Sequence, residues 1–263
     1  MATQVSNPSI QANPAAAIAR RLGFAVGLLL AAMAAAGFGL GIITPPRSGA
    51  WCTANCTAYP YIDAGRFFPR DYWWMLPGIT LAPLFMTLAA CMHFCIPLVR
   101  RLWTLLAICC ATAATTLIAL DYFVQVLVVQ PSLTHHEHDG IAILTQYNPH
   151  GLFLVLEDLG YLLLAKTMLL AAIALPAGGK HASGLRWTLG IAGGLALASF
   201  PVFAVLFGAD MALPFELAVI TIVWIGLVPS GILAALWIRY VEKVSIGRRA
   251  LQPCSDSQPS PGA

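Results

Sequence analysis

Six long apolar runs separated by polar segments dominate the pattern along the chain. Each run has about the 20 mostly apolar residues that a helix needs to cross a bilayer. None shows the short alternating segments that are typical of a membrane β-barrel. The pattern therefore predicts an all-α bundle of six transmembrane helices. The predicted spans are residues 22–44, 72–99, 102–130, 151–176, 184–208 and 212–240.

The two ends of the chain depart from this apolar pattern. Residues 1–21 predict a mobile N-terminal tail and residues 241–263 predict a disordered C-terminal tail, since Ser, Pro, Gln and Ala are frequent there. A signal peptide is an alternative interpretation of the first run. Its apolar core, however, exceeds the usual length of about 7–15 residues, and no clear cleavage site follows it.

Composition narrows the class of protein further. Hydrophobic residues make up 59% of the chain and charged residues only 10%, whereas an ordinary soluble domain has about 25% charged residues. These values exclude a soluble globular protein and a disordered one. Membrane lipid is thus the first expected partner.

The distribution of basic residues predicts the orientation of the bundle. Of the 14 Lys and Arg residues, ten fall in segments on the side of the N-terminus and three on the opposite side, while Lys166 falls within a span. The positive-inside rule then places both termini in the cytoplasm, in the cell (plasma or inner) membrane. The net charge of +3 reflects loops beside anionic headgroups rather than a nucleic-acid partner.

Four acidic residues within the predicted spans carry the strongest functional signal: Asp121, Glu157, Asp158 and Glu216. A charge at the middle of a span costs about 2.5–3.5 kcal/mol on insertion scales. From the helical rise, all four lie about 6–13 Å from the outer ends of their helices. The sequence therefore predicts a polar pocket in the outer half of the bundle that binds a cationic or polar ligand or exchanges protons. The alternative is that these acids hydrogen-bond neighbouring helices together, with Glu216 favouring a helix N-terminus.

Three further residues are predicted to support this pocket. Gln125 shares a helix face with Asp121, and Tyr161 shares one with Glu157. His150 lies at the predicted mouth, where it can respond to pH. The alternative for His150 is a simple turn at the start of a helix.

The two predicted outer segments, 45–71 and 131–150, carry other candidate chemistry. Cys52 and Cys56 are predicted to form a disulfide, since such bonds persist on the outer side of a membrane. His135, His136 and His138 resemble a metal-binding tract in composition, but they lack an ordered four-ligand spacing. They are weak metal candidates, and a solvated polar loop is the alternative.

Small residues predict close contacts between helices. Three glycine pairs have the GxxxG spacing of packed membrane helices, and they can serve either one subunit or a dimer. These pairs are Gly23 and Gly27, Gly37 and Gly41, and Gly190 and Gly194.

Several motifs together resemble a group of uncharacterised bacterial integral membrane proteins. The residues that carry the resemblance are Asp121-Tyr-Phe-Val-Gln125, Gln130-Pro-Ser132, Leu144-Thr-Gln-Tyr-Asn-Pro-His-Gly151, Leu156-Glu-Asp-Leu-Gly-Tyr161, and the Cys52/Cys56 loop with Phe68-Pro-Arg-Asp-Tyr72. The likeness covers about residues 20–240. It implies a six-helix membrane protein and assigns no activity.

Three functions compete on these observations. We expect a binding or transport protein that uses the polar pocket, without a cofactor. A lipid-modifying membrane enzyme is an alternative, because paired carboxylates can perform acid–base chemistry, although no HExxH, GxSxG or nucleotide motif is present. A structural or assembly protein is the third, and the oligomeric state is left open.

Overall fold

The computed structural model describes residues 14–250, with side chains through residue 244. Every regular element in that range is helical. The α-helices are α1 Pro14–Ile43, α2 Met75–Cys95, α3 Arg101–Val124, α4 Gln130–Thr134, α5 Ile141–Leu144, α6 Leu152–Ala174, α7 Lys180–Phe207 and α8 Ala212–Ala250. A π-helical turn, Gln125–Val129, joins α3 to α4. Short 3₁₀ turns occupy Ala64–Phe67, Arg70–Tyr72, Leu98–Arg100 and Gly208–Asp210.

The six long helices form a closed ring. In the order α1, α2, α3, α6, α7 and α8, each packs against the next, and α8 packs against α1. Across the ring, α6 also contacts α8. This arrangement lets α3, α6 and α8 bring side chains together in the interior.

Five helical stretches in the described part of the chain are long and apolar enough to cross a membrane. They are Pro14–Ile43, Arg70–Cys95, Leu98–Thr134, Lys180–Asp210 and Ala212–Val244. Large apolar side chains remain uncovered on the outside of the ring, such as Leu127 at 62% exposure and Val205 at 86%. Because water would disfavour so much exposed apolar surface, these helices are those of an integral membrane protein.

The fourth predicted span is a helix of the same ring, α6, but it is not among those five. It has 23 residues, which is about 34 Å of helix. Every 18-residue stretch of α6 contains Glu157, Asp158 and Lys166, and these charges lower its apolarity. The helix buries Glu157 completely and leaves Val155 and Leu159 exposed, so the acid faces the interior and apolar side chains face outward.

Several helix boundaries differ from the predicted ones, among them the start of α1 and the ends of α8 and of the helix that follows α3. α1 begins at Pro14 rather than at residue 22, since the alanines after Pro14 are strong helix formers. α8 continues to Ala250, so residues 241–250 of the predicted disordered tail are helical. The helix after α3 runs on to Thr134, because Pro131 lies in the first turn of α4, where a missing N–H is tolerated. The remaining parts of both predicted tails lie outside the described residues.

The two ends of the bundle differ in construction. Segments 44–74 and 125–151 pack together at one end, here called the long-loop end, where the rings of Phe67 and Tyr147 lie 5.3 Å apart. A disulfide joins Cys52 and Cys56 in the first of these segments. At the opposite end the turns are short, and the Arg100 guanidinium donates to the Leu175 carbonyl at 2.6 Å.

Glycines set the closest helix contacts, and they act within the chain. A Cβ on Gly27 would lie 2.7 Å from the backbone oxygen of Gly231, so α1 and α8 cross almost backbone to backbone. In α7 the close contact falls at Gly193, whose Cβ would lie 2.6 Å from an α6 carbonyl, whereas Gly194 has open space around it. Gly41 also faces open space. In α1, the predicted glycine pairs therefore include residues at close helix contacts, such as Gly27, and one that is not, Gly41. In α7, the predicted pair does not include Gly193, where the close contact lies.

Candidate functional site

The four predicted acids converge from three helices in the interior of the ring. We call Asp121 of α3, Glu157 and Asp158 of α6 and Glu216 of α8 the acid cluster. The Glu157 carboxyl interacts electrostatically with the other three carboxyls. The Glu216 carboxyl likewise interacts with those of Asp121, Glu157 and Asp158. Asp121, Glu157 and Glu216 are buried, and Asp158 is half-buried.

No basic side chain of the described residues forms an ion pair with the acid cluster. The ion pairs Arg47–Asp71 and Arg66–Asp63 both lie in segment 44–74, away from these acids. Lys166 lies on α6 but is exposed. One carboxyl oxygen each of Asp121 and Asp158 is buried without a hydrogen bond. The protein thus supplies no counter-charge to these acids over the described chain.

Glu157 lies at the centre of this cluster, next to three aromatic residues. The Tyr122 hydroxyl donates to Glu157 and lies 3.3 Å from the Tyr161 hydroxyl. The indole Nε1–H of Trp224 donates to the Tyr161 oxygen at 2.8 Å. On its other side, the Glu157 carboxyl faces that of Glu216. These contacts fix the centre of the cluster through α3, α6 and α8 together.

An open cleft connects the acid cluster with the long-loop end. It has a volume of about 320 Å³ and lies between the end of α1 and the start of α8, beneath residues 44–51. Glu216 lies on its wall and is therefore the member of the acid cluster that the cleft reaches. Five aromatic residues also line it: Phe38, Trp51, Trp74, Tyr147 and Trp224.

An ion pair forms part of the wall of the cleft at the long-loop end. Arg47 Nε lies 2.5 Å from Asp71 Oδ2 and Nη2 lies 3.2 Å from Oδ1. The hydrogen bond to Asp71 raises the pKa of Arg47, so the guanidinium stays charged. Burial raises the pKa of the neighbouring Tyr147 well above its usual range. Arg47 and Asp71 therefore neutralise each other at the cleft.

Gln125 lies outside the acid cluster, although the sequence places it on the same face as Asp121. Its amide nitrogen donates to the Leu144 carbonyl at 2.6 Å, and its amide oxygen accepts from the Gln146 N–H at 2.9 Å. Gln125 begins the π-helical turn, a distortion that is frequent at functional sites. It therefore fixes segment 141–146, which forms part of the cleft wall through Gln146.

The histidines of the long-loop end do not join the site. His150 is exposed, and its backbone N–H donates to the Asn148 side chain at 2.9 Å, as in a turn. The rings of His136 and His138 lie 6.2 Å apart. Within residues 14–244, no group of three His, Cys, Asp or Glu side chains has a geometry that could hold a metal ion. The interpretation of His135, His136 and His138 as a metal site gains no geometric support.

Sequence reasoning missed Tyr122, Trp224 and the Arg47–Asp71 pair. Tyr122 adjoins Asp121 but points to the next helix, which no periodicity reveals. Trp224 carried a usable signal, because it lies 12 residues after the start of α8, about 18 Å along the helix axis. Indole N–H groups usually bind a partner when buried, so a tryptophan so far from the helix end predicts a buried acceptor.

The assembled groups favour binding and proton exchange. Carboxyls without a basic partner attract cations, aromatic ring faces do the same, and the cleft supplies a route to them. No protein-family profile, curated protein or solved structure matches this chain.

Proposed function

We propose that this chain is a six-span protein of the cell membrane that binds or transports a small cationic ligand in exchange for protons. In this topology α6 is the sixth span, and both termini lie in the cytoplasm. The position of α6 within the ring supports the span count. The excess of basic residues on the side of the N-terminus supports the orientation. The long-loop end then faces outward.

The observation that carries this proposal is the convergence of four carboxyls without a basic partner among the described side chains. An ionised carboxylate that is removed from water costs several kcal/mol unless it is neutralised. Four such groups close together also repel one another. The cluster is therefore stable only with bound protons or with a bound cation, and these two states can exchange.

The neighbouring residues fit this exchange. A ligand that enters the cleft meets Glu216 first, and Glu216 faces Glu157. When Glu157 is ionised, the Tyr122 hydroxyl stabilises its charge by donating a hydrogen bond. The Tyr161 hydroxyl contacts that of Tyr122, and Trp224 fixes Tyr161 by donating a hydrogen bond to it. Glu216 is thus assigned to ligand binding and Glu157 to proton exchange.

The test compares Glu157→Gln and Glu216→Gln with the unchanged chain in liposomes. Asp210→Asn is the matched control, since Asp210 is an exposed acid at the same end of the bundle. Infrared difference spectra between acid and neutral pH report how many carboxyls lose protons, and a pH-sensitive dye reports proton flux down an imposed gradient. We expect each Gln variant to lose a carboxyl signal and at least tenfold of the flux. Unchanged spectra and flux in folded Gln variants would contradict the proposal.

A further inference from the structure

We infer that the cleft binds an organic monocation, a substituted ammonium ion, which takes the place of one proton on Glu216. This inference rests on the proposed function and names the class of its ligand. It is drawn from the charges, the aromatic walls and the size of the cleft.

The charge balance of the cleft fits one positive charge. Its charged wall residues are Arg47, Asp71 and Glu216. The first two form a bidentate ion pair, so Glu216 is the one carboxyl on the wall without a counter-charge. A divalent metal ion such as Ca²⁺ takes six to eight oxygen ligands, and a single wall carboxylate is a poor match for that. A monovalent ammonium ion needs only the one.

The aromatic lining distinguishes an organic cation from an inorganic one. Trp51, Trp74, Tyr147 and Trp224 line the cleft together with Glu216. Ring faces attract ammonium groups, and aromatic cages with a carboxylate recognise quaternary ammonium ligands. Alkyl substituents on the cation would also contact these rings and gain from leaving water. A hydrated alkali ion keeps its water shell and gains neither the contact with the ring faces nor the burial of alkyl groups.

The size of the cleft sets the size of the ligand. Its volume of about 320 Å³ lies at the lower end of the range of about 300–1,000 Å³ that is usual for small-molecule pockets. An ammonium ion with several alkyl groups or one aromatic ring fits such a space. The ligand is therefore a small organic amine or quaternary ammonium ion.

The proton balance follows from the groups around Glu216. The charged and titratable groups that face it are Glu157 and Asp158 from α6, Asp121 from α3, the Tyr161 hydroxyl from α6, and the Arg47–Asp71 pair of segment 44–74 at the cleft. When the cation binds, the Glu216 carboxyl gives its proton to water and the carboxylate pairs with the ammonium group. One proton is released for each cation bound, and no bond to the ligand forms or breaks.

The experiment uses choline, tetramethylammonium and 3,3-dimethylbutanol, the uncharged isostere of choline, with the full-length protein in detergent micelles. Calorimetry in two buffers of different ionisation enthalpy gives both the affinity and the number of protons released. We expect choline and tetramethylammonium to bind with release of about one proton and the alcohol to bind at least tenfold more weakly. Affinity should rise with pH, since the ligand competes with a proton.

Two variants and one control locate the binding. Glu216→Gln should weaken choline binding at least tenfold and abolish proton release, while Asp210→Asn leaves both unchanged. Trp51→Leu removes one half-exposed wall ring and should weaken binding about two- to fivefold, which corresponds to the 0.5–1 kcal/mol of an exposed cation–π contact. Equal binding of the alcohol and choline, or choline binding that survives Glu216→Gln, would overturn the inference.

Its failure can be told apart from failure of the proposed function. If no ammonium probe binds while the infrared spectra still show exchange of the buried carboxyl protons, the ligand class is wrong and the proton-exchanging site stands. If Na⁺ or K⁺ alone releases the proton, the ligand class is again wrong. If neither cations nor pH change the carboxyl spectra, both proposals fall.

Discussion

Removing the carboxylate of Asp71 should loosen the long-loop end of the bundle. Asp71→Asn keeps the shape of the side chain but leaves the Arg47 guanidinium without its bidentate partner. The two side chains are 9% and 2% exposed, so the pair is almost buried. Breaking such a pair by removing one partner costs about 3–5 kcal/mol. Because Arg47 keeps its contact with the Phe67 ring, 4.6 Å away, we expect the lower value, about 3 kcal/mol.

Hydrogen exchange measures this loss locally. The Thr57 N–H donates to the Arg47 carbonyl at 2.7 Å, so its protection reports the opening of this segment. A loss of about 3 kcal/mol should lower that protection about 150-fold. Because the hydrogen bond to Asp71 raises the pKa of Arg47 above its usual value, the contribution of the pair is complete at lower pH and disappears only at strongly alkaline pH. The effect of the substitution should therefore not decline as the pH rises from neutral to 10.

Asp63→Asn is the matched control in the same segment. Its ion pair with Arg66 is exposed, at 50% and 45%, and such pairs are worth at most about 1 kcal/mol. The variant keeps the side-chain oxygen that accepts from Thr57. Protection should fall by less than about fivefold. Equal losses in the two variants would refute the reasoning, because they would show that burial of the Arg47–Asp71 pair adds nothing.

Three further outcomes follow from the packing and the hydrogen bonds. Gly231→Ala places a methyl group against the α1 backbone and should lower the free energy of unfolding by about 1–3 kcal/mol, whereas Gly194→Ala, which meets no atom within 4 Å, should raise it by up to about 1 kcal/mol in the same detergent-unfolding assay. Tyr161→Phe leaves the Trp224 N–H without its acceptor and should lower the free energy of unfolding by about 1–3 kcal/mol; an unchanged value would show that the indole finds another partner. Because the pKa of Tyr147 is raised, its contribution is complete below about pH 10 and is lost at higher pH, so Tyr147→Phe should reduce the alkaline loss of stability by about 1.4 kcal/mol per pH unit.

Hydropathy predicts the long helices well because each of them is an apolar run of about 20 residues or more, which is directly visible in the sequence. It does not predict features that depend on the position of a single proline or on a contact between distant segments. The helix after α3 continues through Pro131 to Thr134, since a proline in a first turn costs little. At Gln125, where the π-helical turn begins, the side-chain amide bonds the backbone of segment 141–146, a tertiary contact that a linear pattern does not contain.

The candidate site was predictable as far as depth along each helix determines it. The rise per residue placed Asp121, Glu157 and Glu216 at similar depths, and the structure brings these carboxyls together. The direction in which each side chain points around its helix was predictable only in part. Gln125 was expected to share a face with Asp121, but its amide bonds the backbone of segment 141–146. The aromatic contacts of Glu157 required the helix order around the ring, which places α3 beside α6 and α8 across the interior from it.

The closure of the ring by α1 and α8 makes the site dependent on both of these helices. The cleft lies between the first and last long helices of the chain, and Gly27 and Gly231 hold them together. A nascent or truncated chain without α8 has the acids of α3 and α6 but neither Glu216 nor the cleft. A compound that binds in this cleft would therefore stabilise only chains in which α8 has joined α1, by mass action.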